Sequence, residues 1–580
     1  MRIMKNNIVI LAAFIALLTS CEGFLGRNPY GSVSSENIFD SPILAENVVT
    51  GAYANLAYDY NEYHRTNWDA LASPLDHSSR YGYLAGRIQP NNDFFLTYWK
   101  RFYEGINRAN DVINNFHKVP EMEPELKERR IAECKILRAY HYYKLNCLWR
   151  GVPIYLENLA PAEYTQPRSS EEDVWLQVVK DCTDAINCES LPDKYDSKSP
   201  DWGRMTKGVA YTLRGKAYLW LKEYALAESD FLKVGECGYG LFTGSYADLF
   251  TEKNERCQEM IFSVQMINEA NCGNVFSYEY GNYNTTGYGM NMITLNTNFV
   301  DSYECADGKP FSWDDVIPGY SSMDPKARSV YFLRNSLKES EKNTMLTYGA
   351  DMSKYSETGN EDRIKAVFAN RDPRLAATAI LPYSTYVGGA SGKETTHTFR
   401  FPYRTENSPT FDIKTYSTTD MVYLMRKFVT KGREHLNIAY NPVDAPIFRY
   451  AEVLLCLAEA INEQGGRTSE AVAYVNKVRS RAGAQPLNSN TYTTVKSQED
   501  LRRRIINEKK WELVGEMQLY FEELRWGTWK DDKFSDGNGY QQCWGDNIYN
   551  YEWGGEGYWR WPIPQSEREK NVNLKQNPLW

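Results

Sequence analysis

Amphipathic helical patterns cover both ends of this chain and restrict it to a mainly α fold. Apolar residues recur at steps of three and four over residues 102–116 and 121–149, and again over 449–464, 469–482 and 498–525. This spacing places the apolar side chains on one face of a helix, which must then pack against another element. A chain of 580 residues can bury an extensive core. We therefore predict antiparallel pairs of packed helices.

Residues 203–235 add a helical hairpin that resembles a tetratricopeptide repeat. Small residues, Gly215 and Ala217 on the first helix and Ala227 on the second, stand where the paired helices would touch. A further helix is predicted to begin after the cap sequence at 169–173. Repeat pairs need neighbouring pairs to cover their apolar faces. The helices near the C-terminus are therefore expected to complete an interrupted array.

Between these helical regions, residues 238–445 are rich in Gly, Asn, Thr, Ser and Tyr and contain short strand-like pieces such as 259–265. This predicts a large loop-rich insert on a helical scaffold, and such loops commonly carry binding surfaces. The predicted organisation is a signal peptide at 1–20, an N-terminal helical part at 21–237, the insert at 238–445 and a C-terminal helical part at 446–580.

The composition argues against several classes of function. The formal net charge is −9 and no basic block occurs, which disfavours nucleic acid as a partner. The six histidines are scattered without a His-x-x-x-His pair, and the glycine-rich runs lack a phosphate-binding frame. Acidic runs at 314–315 and 531–532, and Asp536 with Asn538, suit either Ca²⁺ or solvent, and we favour solvent. No cofactor is predicted.

The first 21 residues have the pattern of an export signal. Arg2 and Lys5 precede an apolar run over residues 8–18, which is shorter than the roughly 20 residues that span a bilayer. The segment LTSC that ends at Cys21 resembles a bacterial lipobox. This predicts cleavage before Cys21 and a lipid anchor on that cysteine.

Ten cysteines follow Cys21, and none of them forms a C-x-x-C pair or a Cys/His cluster. Those within apolar helical patterns are interpreted as small buried residues. Pairing of Cys182 with Cys188, or of Cys257 with Cys272, is left open by the sequence.

Several motifs resemble those of the SusD/RagB family of outer-membrane nutrient-binding lipoproteins. They are CEGFL at 21–25 with Pro29, GAY at 51–53, INRAN at 106–110, NRDPRL at 370–375, FRYAEVLL at 448–455, PIPQSE at 562–567 and QNP at 576–578. The similarity therefore spans nearly the whole chain. We interpret these motifs as structural, with Glu459 and Glu512 as buried partners of arginines such as Arg449.

The resemblance implies a helical-repeat scaffold that is lipid-anchored to the outer membrane at the cell surface and partners a SusC-like TonB-dependent transporter. It also implies binding of an oligosaccharide or polysaccharide without cleavage, followed by delivery for import. Three alternatives stay open: a peptide or another nutrient as the ligand, a helical carbohydrate-active enzyme, and a scaffold for protein partners alone.

Aromatic residues beside amides and charges are the candidate ligand contacts. Sugar rings present C–H patches that stack on aromatic faces, while their hydroxyls need directional polar partners. Two segments combine these features: the residues before a helix expected to begin near Tyr98, and the middle insert. The candidates are Trp68, Asp76, Arg80, Tyr81, Tyr83 and Phe94 in the first segment, and Tyr278, Tyr280, Tyr283, Tyr288, Asn291 and Trp313 in the second. We favour Tyr288 and Trp313 as stacking platforms, Tyr81 and Tyr83 as flanking rings, and Asp76 with Arg80 as hydroxyl partners.

Overall fold

The computed structural model describes residues 38–61, 67–79, 82–287, 289–407, 409–435, 437 and 440–580. The predicted signal peptide and Cys21 lie outside these residues. Within the described part, no helix has the length and apolar character needed to cross a membrane. Its ten cysteines are all unpaired, so neither of the disulfides left open by the sequence is formed.

Helices form most of the regular structure, which confirms the predicted mainly α fold class. The α-helices of eight or more residues in the described part are α1 (Pro42–Ala54), α2 (Asp93–Asn115), α3 (Pro124–Trp149), α4 (Glu171–Ile186), α5 (Lys207–Leu221), α6 (Tyr224–Glu236), α7 (Glu339–Tyr348), α8 (Asn360–Phe368), α9 (Tyr450–Gln464), α10 (Thr468–Ala482), α11 (Gln498–Leu513) and α12 (Leu519–Trp526). Shorter helices are named below by their residues.

The strands are short and pair in small sheets. They are β1 (Leu75–His77), β2 (Met260–Val264), β3 (Ile293–Leu295), β4 (Ala379–Ile380), β5 (Thr385–Gly388), β6 (Thr395–Thr398), β7 (Phe411–Asp412), β8 (Leu424–Met425), β9 (Ala445–Arg449), β10 (Gly539–Gln541) and β11 (Asn547–Asn550). β1 pairs with β3, β2 with β9, β4 with β8 and β10 with β11, all antiparallel, while β6 lies between β5 and β7. β2 confirms the strand predicted at 259–265, and its pairing with β9 brings the two ends of the insert together.

The long helices pack as a continuous array that the insert interrupts only in sequence. α1 packs on α2, each helix from α2 to α5 packs on the next, and α6 packs on α9 across the whole insert. α9 then contacts α10 and α11. In the hairpin of α5 and α6, a Cβ on Gly215 would lie 2.6 Å from the Phe231 ring, so the close approach depends on the absence of a side chain there. The predicted repeat-like hairpin is therefore confirmed.

Local capping fixes where these helices begin. The Ser170 side chain accepts a hydrogen bond from the Asp173 amide (3.0 Å), and the Asp173 carboxylate accepts one from the Ser170 amide (3.3 Å), which forms a capping box before α4. Asn92 caps α2 by accepting from the Phe94 amide (2.9 Å). The helix that was expected to begin near Tyr98 therefore begins at Asp93, and Phe94 lies in its first turn.

The helix predicted over 498–525 is two helices, because the backbone turns between α11 and α12. Gly515 has φ +81° and Met517 has φ +57°, both in the left-handed region that a helix interior excludes. The Met517 amide donates to the buried Asp69 carboxylate (3.0 Å) instead of continuing the helix. This break was not predicted, since the apolar spacing continues through it.

The C-terminal helices enclose a first buried ion cluster around Arg449. This guanidinium, 1% exposed, binds Glu516 (2.7 Å), Glu512 (3.1 Å) and Glu259. Burial disfavours the charged form of Glu512, but Arg481 and Arg449 outweigh this effect and lower the pKa of that carboxyl to about 2. The predicted pairing of Arg449 with Glu512 is confirmed.

A second buried ion cluster lies between α5, α9, α11 and α12. The Glu459 carboxylate binds Arg525 (2.7 Å) and Lys509 (2.7 Å), and Glu522 binds Arg525 (2.6 Å) and Lys216 (3.0 Å). Glu459 is thus a buried partner of an arginine, as predicted. Removing one member of such a cluster leaves an uncompensated buried charge, so each charge fixes the positions of the helices that carry its partners.

Candidate functional site

Strand pairing brings the two predicted binding segments together. β1 runs antiparallel to β3, with Asp76 opposite Thr294 and His77 opposite Ile293, and the Ser78 amide donates to the Met292 carbonyl (2.7 Å). The chain that leaves β1 therefore lies beside the chain that enters β3. Three predicted contacts, Arg80, Tyr81 and Tyr288, fall outside the described residues.

Trp68 lies in the core and is not available to a ligand. Its side chain is 1% exposed, and its ring centroid lies 4.3 Å from that of Tyr98, 5.1 Å from Phe521 and 5.6 Å from Trp561. Rings on several sides leave no free face for a sugar. The prediction of Trp68 as a ligand contact is therefore corrected to a core-packing role.

Tyr83 and Phe94 belong to the same aromatic core. Tyr83, 2% exposed, stacks on Tyr558 at 4.7 Å and donates its hydroxyl to the Tyr558 carbonyl (3.1 Å). Phe94 is half-buried and lies 4.9 Å from Trp561. Tyr83 is therefore removed from the candidate site, and Phe94 packs mainly against the core.

Tyr280 and Trp313 are also buried rather than presented. The Tyr280 hydroxyl donates to the Asp69 carboxylate (2.6 Å). Trp313 stacks on Tyr320 at 4.3 Å, and its indole N–H donates to Asp301 (2.8 Å). Both rings have their polar atoms satisfied inside the protein, so the choice of Trp313 as a stacking platform is corrected.

Asp76 and Asn291 are buried and bind other parts of the protein: Asp76 binds three side chains, and Asn291 binds a backbone amide. The Asp76 carboxylate, 1% exposed, accepts from Tyr551 (2.8 Å), Asn296 (3.0 Å) and Lys533 (3.1 Å), and burial raises its pKa. The side-chain oxygen of the buried Asn291 accepts from the Tyr416 amide (2.8 Å). Asp76 is not free to bind a hydroxyl, and the sequence prediction is corrected for both residues.

The insert nevertheless presents aromatic side chains at this surface. Tyr278 and Tyr283 are half-buried. The Tyr283 amide donates to the Lys414 carbonyl (2.9 Å), and the Lys414 ammonium lies 4.4 Å from the centre of the Tyr283 ring. A half-exposed ring thus stands next to an exposed cation that can donate hydrogen bonds.

Among the described residues near these segments, Tyr416 has the most exposed ring, and the sequence prediction missed it. Its side chain is 65% exposed, and its amide is held by Asn291. At the end of β1, the half-buried Tyr549 of β11 donates its hydroxyl to the His77 carbonyl. We call Tyr283, Lys414, Tyr416 and Tyr549 the tyrosine face. The signal that could have identified Tyr416 is its setting among Thr and Ser residues at 415–419.

Two glycines allow the segment before β3 to fold back on itself. A Cβ on Gly289 would lie 2.2 Å from the Asn282 carbonyl oxygen, and one on Gly281 would lie 2.1 Å from the Ser277 carbonyl oxygen. Because neither position has space for a side chain, both residues are required for this backbone path. The path places Tyr283 and Asn291 next to residues 414–416 of the insert.

A cavity of about 380 Å³ opens beside the loop that carries Tyr416. Its lining residues include the aromatic rings of Tyr348, Phe401, Tyr403 and Trp544, with Thr418 and Thr419 from the same loop. The Trp544 indole N–H donates to the Tyr348 hydroxyl (3.0 Å), which in turn donates to Asp546 (2.5 Å). Exposed rings, hydroxyls and a nearby cavity suit a ligand that offers both apolar faces and hydrogen-bonding groups. Within the described ranges, no group of three or more His, Cys, Asp or Glu side chains is placed to hold a metal ion.

Comparisons with known proteins agree on one family. A sequence model described as the SusD family matches residues 258–580, and one described as starch-binding associating with outer membrane matches residues 23–219. SusD-like protein P25 of Formosa agariphila is 24% identical over 91% of this chain and 90% of its own length. The starch-binding protein SusD of Bacteroides thetaiotaomicron is 25% identical over 77% of this chain and 72% of its own.

A solved structure shows that the fold is shared as well. The crystal structure of a SusD-like protein from Bacteroides fragilis superposes with a TM-score of 0.72 at 20% identity, covering 96% of this chain and all of the other. At this level of identity the superposition supports the fold alone. Since the SusD-family model extends over more than half of the chain, this protein belongs to the SusD family.

Proposed function

We propose that this protein binds an oligosaccharide or polysaccharide at the tyrosine face and holds it without cleaving it. The observation that carries the proposal is the exposure of Tyr416, which reaches 65%. Asn291 binds the backbone amide of Tyr416 near the point where the two predicted segments meet. A flat exposed ring can stack on the C–H face of a sugar, and Lys414 beside it can donate to hydroxyls. Arg80, Tyr81 and Tyr288 are kept as proposed contacts.

The names of the relatives support a carbohydrate as the ligand. One matching sequence model is described as starch-binding, and the Bacteroides thetaiotaomicron relative is named a starch-binding protein. The cavity beside Thr418 and Thr419 supports a ligand longer than one sugar, since a chain lying on the tyrosine face can continue toward it. Several weak contacts along one chain add up to useful affinity.

Isothermal titration of the chain from Glu22 to Trp580 against plant, fungal and host glycans tests this proposal. We expect saturable binding of at least one glycan. Tyr416→Ala should weaken it about tenfold or more, because a lost stacking ring costs on the order of 1–2 kcal/mol. Tyr416→Phe, which keeps the ring, is the matched control and should stay within about threefold of the parent. Binding of peptides alone would contradict a glycan ligand, and equal affinities for Tyr416→Ala and the parent would contradict the site.

Binding without cleavage is tested by incubating the bound glycan with the purified protein. We propose a binding protein because the relatives with a named activity are described as starch-binding and because the Asp76 carboxylate, where the two segments meet, is engaged by three internal donors. Chromatography should recover the glycan unchanged. Appearance of shorter products that depend on this protein would favour a carbohydrate-active enzyme.

We further propose that Cys21 carries a lipid anchor in the outer membrane and that the bound glycan passes to a SusC-like TonB-dependent transporter. The lipobox-like segment before Cys21 and the family membership support these steps. In the producing cell, the protein should fractionate with the outer membrane, and Cys21→Ala should release it. Affinity purification should recover a TonB-dependent transporter. Recovery of this protein from the membrane without such a transporter would contradict the proposed partnership.

A further inference from the structure

A second cavity, of about 560 Å³, opens on a different part of the molecule. It lies between α2, the segment that follows α3 and the C-terminal helix Gln565–Lys570. None of its lining residues belongs to the tyrosine face or to the cavity beside Thr418. Its volume is within the range of about 300–1,000 Å³ that is usual for small-molecule sites. We call it the α2 cavity.

A row of four aromatic rings lines one side of the α2 cavity, with Tyr103 and Tyr164 half-buried and Trp99 and Tyr155 packed behind them as buried rings. The ring centroids of Trp99 and Tyr103 are 5.0 Å apart, those of Tyr103 and Tyr155 are 6.1 Å apart, and those of Tyr155 and Tyr164 are 4.9 Å apart. Hydrogen bonds hold the row, since the Tyr103 hydroxyl donates to the Pro153 carbonyl (2.8 Å) and the Tyr164 hydroxyl accepts from the Leu159 amide (3.1 Å). The rings are therefore fixed before any ligand arrives.

Polar side chains of α2 line the cavity in a regular stripe. Glu104 and Arg108, and likewise Asn107 and Asp111, are four residues apart, so the four side chains project from one face of the helix. The Asn107 side-chain oxygen is buried, and among the described residues it has no hydrogen-bond partner. A buried acceptor without a donor is costly, and rotation of the half-buried Asn107 side chain toward the cavity would let a ligand hydroxyl satisfy it.

The charges around the α2 cavity cancel. The three cationic lining residues are Lys100, Arg108 and Lys570, and the three anionic ones are Glu104, Asp111 and Glu567. Arg108 binds Glu104 (2.5 Å) and Lys570 binds Glu567 (2.8 Å). The cavity therefore has no net charge to attract an ion, while it keeps many donors and acceptors for a neutral polar ligand.

We propose that the α2 cavity is a second saccharide site, which takes a neutral segment of the same glycan that the tyrosine face binds. A sugar presents apolar C–H patches and hydroxyls. The α2 cavity offers aromatic rings for the patches and, beside them, hydrogen-bonding side chains for the hydroxyls. This proposal rests on the proposed function for the class of ligand but not on the tyrosine face itself. Two separate sites on one chain would raise the avidity for a long glycan above that of either site.

Titration of four chains from Glu22 to Trp580 tests this second site: the parent, Tyr416→Ala, Tyr164→Ala and the double variant. The probes are maltoheptaose, laminarihexaose and a xyloglucan oligosaccharide, with a tryptic digest of casein as the peptide probe. We expect two equivalents of one oligosaccharide on the parent and one on Tyr416→Ala. Tyr164→Ala should weaken the remaining site at least tenfold, and Tyr164→Phe, which keeps the ring, should change it less than threefold. Unchanged thermal unfolding of each variant confirms folding.

The outcomes separate this inference from the proposed function. A parent that binds one equivalent, all of it lost in Tyr416→Ala, would overturn the second site and leave the proposed function intact. Binding lost in Tyr164→Ala but unaffected by Tyr416→Ala would support the α2 cavity and contradict the tyrosine face. Peptide binding at the α2 cavity without oligosaccharide binding would overturn its assignment to a saccharide. Absence of binding to every oligosaccharide would overturn both.

Discussion

The ion clusters among the C-terminal helices are buried, whereas the tyrosine face carries an exposed ring. Arg449, at the end of β9, is 1% exposed and fixed by three carboxylates, whereas Tyr416, earlier in the chain, is 65% exposed and has its amide bound by Asn291. Buried charges tolerate little change, because each needs its partner. An exposed ring can vary with the ligand. The family-like motif at 448–455 is mostly buried, while the residues proposed to choose a ligand lie outside it.

The largest effect that we expect comes from breaking the first ion cluster. Arg449→Met should lower the free energy of unfolding by about 3–5 kcal/mol, because it leaves the Glu259, Glu512 and Glu516 carboxylates short of a buried cation. Urea unfolding followed by circular dichroism measures this loss. The matched control is Lys233→Ala, which removes an exposed pair with Glu236 and should leave the midpoint unchanged. Equal stability of Arg449→Met and the parent would show that the cluster does not hold these helices together.

A smaller effect is expected where two helices of the array touch. Gly215→Ala should cost about 1–3 kcal/mol, because the new methyl group would overlap the Phe231 ring. Gly51→Ala in α1 is the matched control: nothing lies within 4 Å of its added Cβ, so it should be neutral or stabilising by up to about 1 kcal/mol. Thermal unfolding of both variants makes the comparison. A neutral Gly215→Ala would mean that α5 and α6 can separate without loss.

Much of the scaffold could be predicted from the sequence, since helical spacing and cap residues act locally. The strand at 259–265 and the hairpin of α5 and α6 followed from such patterns, while the pairing of Arg449 with Glu512 was predicted from the resemblance to the SusD/RagB family. The break between α11 and α12 could not be predicted, because it depends on Asp69, which is distant in sequence and accepts from the Met517 amide. Long-range contacts of this kind leave no local signal.

The candidate site was harder to predict, because a ring that packs and a ring that binds look alike in sequence. Trp313 and Tyr416 both lie in the insert among small polar residues, yet Trp313 is stacked on Tyr320 and Tyr416 is exposed. Burial is decided by segments far along the chain. The sequence predicted two candidate binding segments, and the pairing of β1 with β3 brings these segments together. Tyr549 could be assigned to the tyrosine face only from the structure, because β11 lies outside both predicted segments.

Two acids, Glu255 and Asp444, lie next to each other where the two ends of the insert come together. The Asp444 amide donates to Glu255 (3.2 Å), and the Asp444 carboxylate accepts from the Met266 amide (2.8 Å). Burial, followed by the Glu255 charge, raises the pKa of Asp444 to about 8, and burial raises the pKa of Glu255 to about 7. Glu252 adds to the shift of Asp444, while Arg256 opposes it.

These raised pKa values predict a stability that falls as pH rises. The folded protein keeps its proton on Asp444 up to about pH 8, whereas an unfolded aspartate releases it near pH 4, so the stabilisation is complete at low pH and is lost on the way to pH 8. Between pH 5 and 8.5 the parent should lose about 3–4 kcal/mol more than Asp444→Asn, since each pKa unit of difference is worth about 1.4 kcal/mol. Unfolding midpoints across this range measure the difference, with the exposed Asp531→Asn as the control for loss of a charge. Parallel pH profiles for the parent and Asp444→Asn would contradict the raised pKa.

The smallest effect on stability is expected at the tyrosine face. Tyr416→Ala should change the free energy of unfolding by less than about 0.5 kcal/mol, because the ring is mostly in water and its only described backbone anchor, the amide bound by Asn291, survives the substitution. The same variant is expected to lose glycan binding at the tyrosine face, which separates binding from folding in a single side chain. Chemical unfolding with and without the glycan makes both measurements on one sample. If Tyr416→Ala destabilised the protein by more than about 1 kcal/mol, the ring would be part of the packing, and the contrast between a buried scaffold and an exposed binding face would fail at this residue.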